Sequence, residues 1–213
     1  MIIVIDGPPA SGKSTVAEYL RRRHGFSAYR YKRLGLVNTI STILLLWINL
    51  RNEKVRRYIC DKVDPVILVS PSYLEKLSWL FLGLEIVYKC VRYAFLFLLA
   101  LMNRDIVIDE WFSLGWANYL NLMLYKKALK PRHVELLMRL DLSFLRVLSK
   151  FFDFVVLFID RDLVKLRSFW FKRGHRLPYD VGFAMLVKYS FNLFRNSCTS
   201  YGTHVKVKYV YLA

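Results

Sequence analysis

Eight residues near the amino terminus have the types and spacing of a loop that holds a polyphosphate. Residues 7–14, GPPASGKS, match the pattern G-x-x-x-x-G-K-[ST] at every fixed position. In such a loop the backbone N–H groups surround phosphate oxygens, and the start of the next helix adds positive potential. We expect Lys13 to reach the β- and γ-phosphates of ATP and the Ser14 hydroxyl to bind Mg²⁺. The residues predicted to bind ATP are Gly7, Pro8, Pro9, Ala10, Ser11, Gly12, Lys13, Ser14 and Thr15.

Two adjacent carboxylates, Asp109 and Glu110, follow a short run of β-branched residues. The run, residues 106–108, predicts a buried strand that ends at the carboxylates. If that strand lies beside the loop, Asp109 would hold Mg²⁺ directly or through water. Glu110 would then orient or deprotonate the attacking group. The two acids and Lys13 are therefore candidate catalytic residues.

A cluster of basic residues directly follows another predicted strand, residues 153–159. Transfer of a phosphoryl group spreads negative charge over its equatorial oxygens, and arginines that close over it stabilise that charge. We expect a lid over residues 161–178, with Arg173 and Arg176 as its catalytic members because they flank Gly174. Arg161 and Lys165 are interpreted as part of a solvated helix face. The cluster comprises Arg161, Lys165, Arg167, Lys172, Arg173 and Arg176.

The elements that must position these residues alternate between short apolar strands and helices. The run Ile2–Ile5 has strand length and leads directly into the loop, and residues 13–23 then have the pattern of a helix. Such alternation predicts an α/β domain with a mainly parallel sheet. The final segment, residues 204–211, alternates with period two and predicts a half-exposed edge strand. We predict one domain over 1–213, in which residues 35–102 form a helical region on the substrate side.

Composition excludes several classes of protein. The chain has 213 residues, 55% of them hydrophobic, which is too apolar for a disordered chain. Three cysteines without a CxxC pair argue against a disulfide scaffold or a zinc site, and favour reduced thiols in the cytoplasm. The amino terminus lacks the basic region of a signal peptide.

The apolar stretch at residues 77–102 raises the question of a membrane span. It contains Glu85, Lys89 and Arg92, and its uninterrupted part, residues 93–102, is shorter than the roughly 20 apolar residues that a span needs. We therefore predict no transmembrane segment. The apolar helices exceed what a monomer of this size needs to bury, so we expect a homodimer through one of them.

The charge leaves three functional classes open. With 33 Lys and Arg against 16 Asp and Glu, the net charge is +17, which suits either a polyanionic small substrate or a nucleic acid. A kinase for a nucleotide, a nucleoside or another small hydroxyl acceptor is favoured by the lid and the compact length. An ATP-hydrolysing switch and a nucleic-acid-associated NTPase are the alternatives. The basic cluster relevant to nucleic acid is Arg21, Arg22, Arg23, Arg30, Lys32 and Arg33.

The residues resemble the thymidylate kinase branch of the nucleoside and nucleotide kinases over most of the chain, with residues 35–80 poorly matched. Asp6-Gly7 resembles the acidic start of that family's loop, and residues 109–113, DEWFS, resemble its Asp-Arg-Tyr…Ser segment. Residues 157–160 through Lys172-Arg173-Gly174 resemble its strand and lid. The resemblance implies a P-loop NTPase fold, which is a three-layer sandwich with a mainly five-stranded parallel sheet flanked by helices. It also implies ATP-dependent phosphoryl transfer to a nucleoside monophosphate, with Asp6 and Arg92 in substrate binding and a homodimer.

Two residues depart from the thymidylate kinase pattern. Glu110 stands where the family has Arg, and Pro9 stands where the family often has an Asp facing the sugar. The loop is as similar to that of cytidylate kinases, and Glu110 is closer to the deoxynucleoside kinases, whose Glu supplies a base for a hydroxyl acceptor. Fold and phosphoryl transfer are thus better supported than thymidylate as the acceptor.

Overall fold

The computed structural model describes residues 1–30, 75, 76, 78–102, 105–125, 127, 129–174 and 178–212. These residues form five strands and six helices. In chain order the elements are β1 (Ile2–Asp6), α1 (Lys13–His24), β2 (Ser27–Arg30), α2 (Ser78–Met102), β3 (Ile106–Asp109), α3 (Phe112–Leu124), α4 (Pro131–Phe151), β4 (Phe154–Arg161), α5 (Leu163–Lys172), α6 (Val181–Ser200) and β5 (Val205–Leu212). Arg176 and most of the predicted substrate-side region, residues 35–74, lie outside the described residues.

The five strands pair in parallel in the order β2-β3-β1-β4-β5. In register, Ile2 of the central strand β1 lies opposite Ile106 of β3 and Phe154 of β4. Because parallel strands carry their carboxyl ends to one edge of the sheet, the ends of β1, β3 and β4 meet there. The predicted mainly five-stranded parallel sheet is confirmed.

Helices cover both faces of this sheet. Ile2 and Val4 of β1 belong to the core formed with α3, α4 and α6, whereas Ile3 and Ile5 pack with Ala17 of α1 on the opposite face. Successive strand residues point to opposite faces, so a fully apolar strand such as β1 serves two cores at once. The result is the expected three-layer α/β sandwich.

The carboxyl-terminal segment forms an edge strand. β5 pairs with β4, and its side chains are half-buried or exposed along its length. This agrees with the period-two pattern of the sequence. The preceding helix α6 ends at Ser200, and Cys198 in its last turn is buried. No helix in the described part of the chain is long and apolar enough to cross a membrane.

Candidate active site

The loop between β1 and α1 requires glycine at its first position. Gly7 has a φ of +146°, and a Cβ built there would lie 2.2 Å from the carbonyl oxygen of Ile159 in β4. Gly12 precedes α1 with a φ of +100°, a region that residues with a side chain rarely adopt. The two fixed glycines of the motif are therefore explained by steric fit and by backbone conformation.

The loop ends at the start of α1, where backbone donors have no partner within the helix. The amides of Lys13 and Ser14 are at the first two helical positions, so no preceding helical carbonyl accepts from them. The hydroxyl of Ser11 is buried and has no hydrogen-bond partner among the described residues. Such a concentration of donors suits phosphate oxygens, and the residues present fit a nucleoside polyphosphate.

Lys13 is buried beneath this loop. Its Nζ donates to the carbonyl oxygens of Gly7 at 3.0 Å and of Pro8 at 2.8 Å. The same atom forms an ion pair with Oε1 of Glu110 at 3.2 Å. The predicted catalytic lysine and the predicted acid are therefore in direct contact.

The two predicted magnesium ligands also meet. Oγ of Ser14 donates to Oδ2 of Asp109 at 2.7 Å, although the residues are 95 positions apart. A hydroxyl and a carboxylate are oxygen ligands that Mg²⁺ prefers, and Mg²⁺ in such sites shares its coordination with substrate phosphates. The described residues contain no group of three or more His, Cys, Asp or Glu arranged for a metal. The pair fits an ion held jointly with a nucleotide.

Glu110 adopts an unusual backbone conformation. Its φ is +68°, and its N–H donates to the carbonyl oxygen of Ile5 at 2.9 Å. A residue with a side chain pays a free-energy cost of about 1–3 kcal/mol for such a conformation, which the surrounding structure must maintain. The conformation directs the chain from β3 into α3 with the carboxylate beside Lys13.

Asp6 stabilises the start of α3. Its two carboxylate oxygens accept the backbone N–H groups of Trp111 at 2.7 Å, Phe112 at 2.8 Å and Ser113 at 2.9 Å. Burial raises the pKa of this carboxyl, and the amides of Trp111 and Ser113 act in the opposite direction. Asp6 thereby links the loop strand to the helix that follows Glu110. Its expected contact with substrate stays a prediction.

Arg92 lies on α2 next to this junction. Its guanidinium carbon is 3.6 Å from the centroid of the Trp111 ring, a close cation–π contact. Tyr93 also packs against Trp111, with ring centroids 5.3 Å apart, and its hydroxyl donates to the buried Asp141. The structure brings Arg92 to the residue adjoining Glu110, which is compatible with its predicted role toward a substrate.

The lid is only partly described. α5 begins at Leu163, and Arg173 closes its last turn through its backbone N–H. The Arg173 side chain is exposed and forms no hydrogen bond or ion pair with the loop in the ranges that the structure covers. The structure thus does not bring Arg173 to Lys13, and its catalytic role stays a prediction.

Sequence reasoning missed two residues that contact the loop. Nε of Arg161 donates to the carbonyl oxygen of Ser11 at 3.1 Å, so the interpretation of Arg161 as solvated does not hold. The hydroxyl of the buried Tyr179 donates to the carbonyl oxygen of Pro9 at 3.2 Å. The position of Arg161 at the carboxyl end of a strand was the available signal. We find no local signal for Tyr179.

Solved structures of two kinases resemble this fold. A deoxyadenosine kinase from M. mycoides with bound dATP matches with a TM-score of 0.52 and 16% identity, over 97% of this chain and 90% of that chain. A thymidylate kinase from Candida albicans matches with a TM-score of 0.50 and 17% identity, over 99% of this chain and 83% of that chain. No protein-family model and no curated protein matches the sequence. These similarities show that the chain shares the fold of these two proteins.

Proposed function

We propose that the chain is an ATP-dependent kinase that transfers a phosphoryl group to a nucleoside monophosphate. The observation that carries the proposal is the contact between Ser14 and Asp109 at 2.7 Å, with Lys13 and Glu110 beside it. These four residues come from two distant segments and supply the charges and oxygen ligands that phosphoryl transfer requires. The fold that the chain shares with two solved kinases adds support.

The residues of this chain have separable roles in the proposed reaction. Backbone donors of the loop and Lys13 bind and orient the phosphates of ATP. Ser14 and Asp109 would hold Mg²⁺, which when bound neutralises charge on the phosphate oxygens. Arg173 and Arg176 would stabilise charge that develops on the transferred group. Asp6 holds the start of α3 and so maintains the backbone that carries Glu110.

Glu110 favours a second acceptor, the hydroxyl of a nucleoside. A hydroxyl must lose its proton during attack, and Glu110 is a carboxylate near Lys13 that can accept it. A nucleotide phosphate is already largely ionised at neutral pH and needs no base. Arg92 supports the nucleotide instead, since its positive charge suits an acceptor phosphate.

The direct test is ADP release from Mg-ATP with a panel of nucleoside monophosphates and nucleosides. We expect one acceptor to raise the rate severalfold and Lys13→Ala to reduce the rate about 10²-fold or more. Lys150→Ala is the matched control. Lys150 is exposed in the last turn of α4, just before the amino-terminal end of β4, whereas the loop lies at the carboxyl ends of the strands. A rate that no acceptor changes would contradict the kinase and favour a hydrolase.

We also propose that two copies associate through α2. A stripe of exposed apolar side chains runs the length of this helix at spacings of three, four and seven residues, which indicates one face. A second copy of the chain is the occupant we favour, since an isologous contact covers both stripes at once. The stripe consists of Leu80, Val87, Val91, Phe95, Leu98 and Met102.

Two other attributes complete the proposal. Cys90 and Cys198 are free thiols, which suits a reducing compartment, and we propose a cytoplasmic location. Arg21 and Arg22 both bond to Glu18, which offsets positive charge at that end of α1. We propose a small acceptor, and not nucleic acid, as the partner.

A further inference from the structure

An arginine at the end of β4 lies against the loop on the side away from β3. Nε of Arg161 donates to the carbonyl oxygen of Ser11 at 3.1 Å. A Cβ built on Gly12 would lie 3.8 Å from Nη2 of the same guanidinium. The group therefore extends along the last residues of the loop, immediately before the helix start that faces the phosphates. One of its five N–H donors accounts for the bond to Ser11.

The acidic neighbours of Arg161 in the sequence are engaged elsewhere. Asp160 is buried, pairs with Nζ of Lys188 at 2.8 Å and accepts from the hydroxyl of Tyr209. Asp162 accepts the N–H of Val164 at 2.7 Å and begins α5. Within the part of the chain that the structure describes, no carboxylate forms an ion pair with Arg161. Among the described residues, its positive charge is therefore not paired with a carboxylate.

Several carboxylates lie close to the place where the phosphates are proposed to bind. Asp6, Asp109 and Glu110 are three carboxylates at the ends of β1 and β3, and Lys13 forms an ion pair with Glu110. A nucleoside triphosphate would add further negative charge to this group. Arg161 lies on the same loop and supplies positive charge where the helix start already favours anions.

Arg161 is also held in place from the side of the lid. Its guanidinium carbon lies 4.9 Å from the centroid of the Phe169 ring in α5. The contact with Phe169 and the bond to Ser11 restrain the side chain in two directions. A restrained guanidinium loses less conformational freedom when it binds an anion.

We propose that Arg161 is a phosphate-binding residue that contacts the di- or triphosphate of the nucleotide held by the loop. The inference rests on the proposed function, because it assigns a further residue to the same nucleotide site. It adds a cation to Lys13 of the loop motif and to the predicted catalytic arginines Arg173 and Arg176. Through Phe169, the bound phosphate would also be linked to the position of α5.

The test is calorimetric titration of the full chain with ATP and with inorganic tripolyphosphate, in EDTA so that protein cations carry the binding. We expect Arg161→Gln to weaken both ligands roughly ten- to a hundred-fold, which is the range for a charge-assisted hydrogen bond. Arg161→Lys keeps the charge, so its affinity for both ligands should fall less than that of Arg161→Gln. Arg195→Gln is the control, because Arg195 is exposed on α6 and lies roughly 20 Å along that helix from its start beside the loop.

Each outcome bears on the inference in a defined way. Equal dissociation constants for the wild type and Arg161→Gln would overturn it, as would a loss for ATP with none for tripolyphosphate, which indicates a base contact. If neither ligand binds the wild type in EDTA, the same variants are titrated with Mg-ATP, and a wild type that does not bind Mg-ATP either contradicts the proposed function itself. Thermal unfolding without ligand identifies a variant that does not fold. If Arg161→Gln is such a variant, the uncharged Arg161→Met replaces it: weaker binding of both ligands supports the inference, and unchanged binding overturns it.

Discussion

At the scale of single residues, Glu110 distinguishes the two acceptors. We expect Glu110→Gln to lower kcat about 10²- to 10⁴-fold if the acceptor is a nucleoside hydroxyl, because the variant cannot accept its proton. If the acceptor is a nucleotide, the loss should stay near tenfold, since the ion pair to Lys13 is removed but no base is needed. The measurement is kcat for the best acceptor of each class.

The pH profile separates these two effects. A base produces a rate that falls at acidic pH in the wild type and is flat in Glu110→Gln, whereas loss of the ion pair changes the rate without changing the profile. Glu135→Gln is a suitable control because Glu135 is exposed on α4 and pairs with Arg139. A variant with unchanged kcat for both acceptors would contradict any catalytic role for Glu110.

At the scale of elements, the junction between the loop and β4 depends on Gly7. We expect Gly7→Ala to weaken ATP binding more than tenfold, because its Cβ would lie 2.2 Å from the Ile159 carbonyl and would push the loop away from β4. Gly25→Ala is the matched control, because Gly25 has a φ of +68° and open space around it. This substitution should lower the free energy of unfolding by about 1 kcal/mol and leave the affinity for ATP unchanged. Equal affinities in both variants would contradict the steric explanation.

The edge strand β5 carries a titratable group, Tyr209, whose hydroxyl donates a hydrogen bond to Asp160 of β4. Burial, and then the hydrogen bond to Asp160, raise the pKa of Tyr209 to about 12. Because the pKa is raised, the neutral hydroxyl of Tyr209 stabilises the folded state. This contribution is fully present below pH 10, the ordinary pKa of tyrosine, and is lost as the pH rises through about 12. Because Tyr209 is half exposed, we expect a loss of about 1 kcal/mol or less.

Urea unfolding at about pH 9 and about pH 11.5 measures this loss. Tyr209→Phe should show a smaller fall in unfolding free energy than the wild type over that interval. Tyr189→Phe is the control, since Tyr189 is exposed on α6, away from this strand. If the unfolding free energy falls equally in the wild type and in Tyr209→Phe, the hydroxyl of Tyr209 does not contribute to the pH dependence of stability.

At the scale of the whole molecule, the exposed stripe on α2 predicts association. We expect light scattering to give the mass of a dimer for the wild type and of a monomer for Val91→Glu, because a charge in an apolar interface costs several kcal/mol. Met185→Glu is the control, since Met185 is a similarly exposed apolar residue on α6. A wild type that is monomeric at all concentrations would contradict the proposed dimer.

Much of the fold is readable from local patterns. Apolar runs of strand length mark β1, β3 and β4, because a strand buried on both faces needs apolar residues at every position. The motif at residues 7–14 requires its glycines for reasons of backbone conformation and its Lys for charge. Such features depend on neighbours in the sequence, and the chain by itself therefore determined the strands, the loop and the candidate acids.

Other features depend on which strands become neighbours. The contact of Ser14 with Asp109 exists because β3 lies beside β1, and Arg161 meets Ser11 because β4 lies on the other side. Asp6, expected to face substrate, accepts three backbone N–H groups of α3 because that helix starts above it. Hydrophobic periodicity shows that a strand is buried, but it does not specify which strand lies beside it. Only the tertiary structure decided these contacts, since the strand order brings together residues that are 95 to 150 positions apart in the chain.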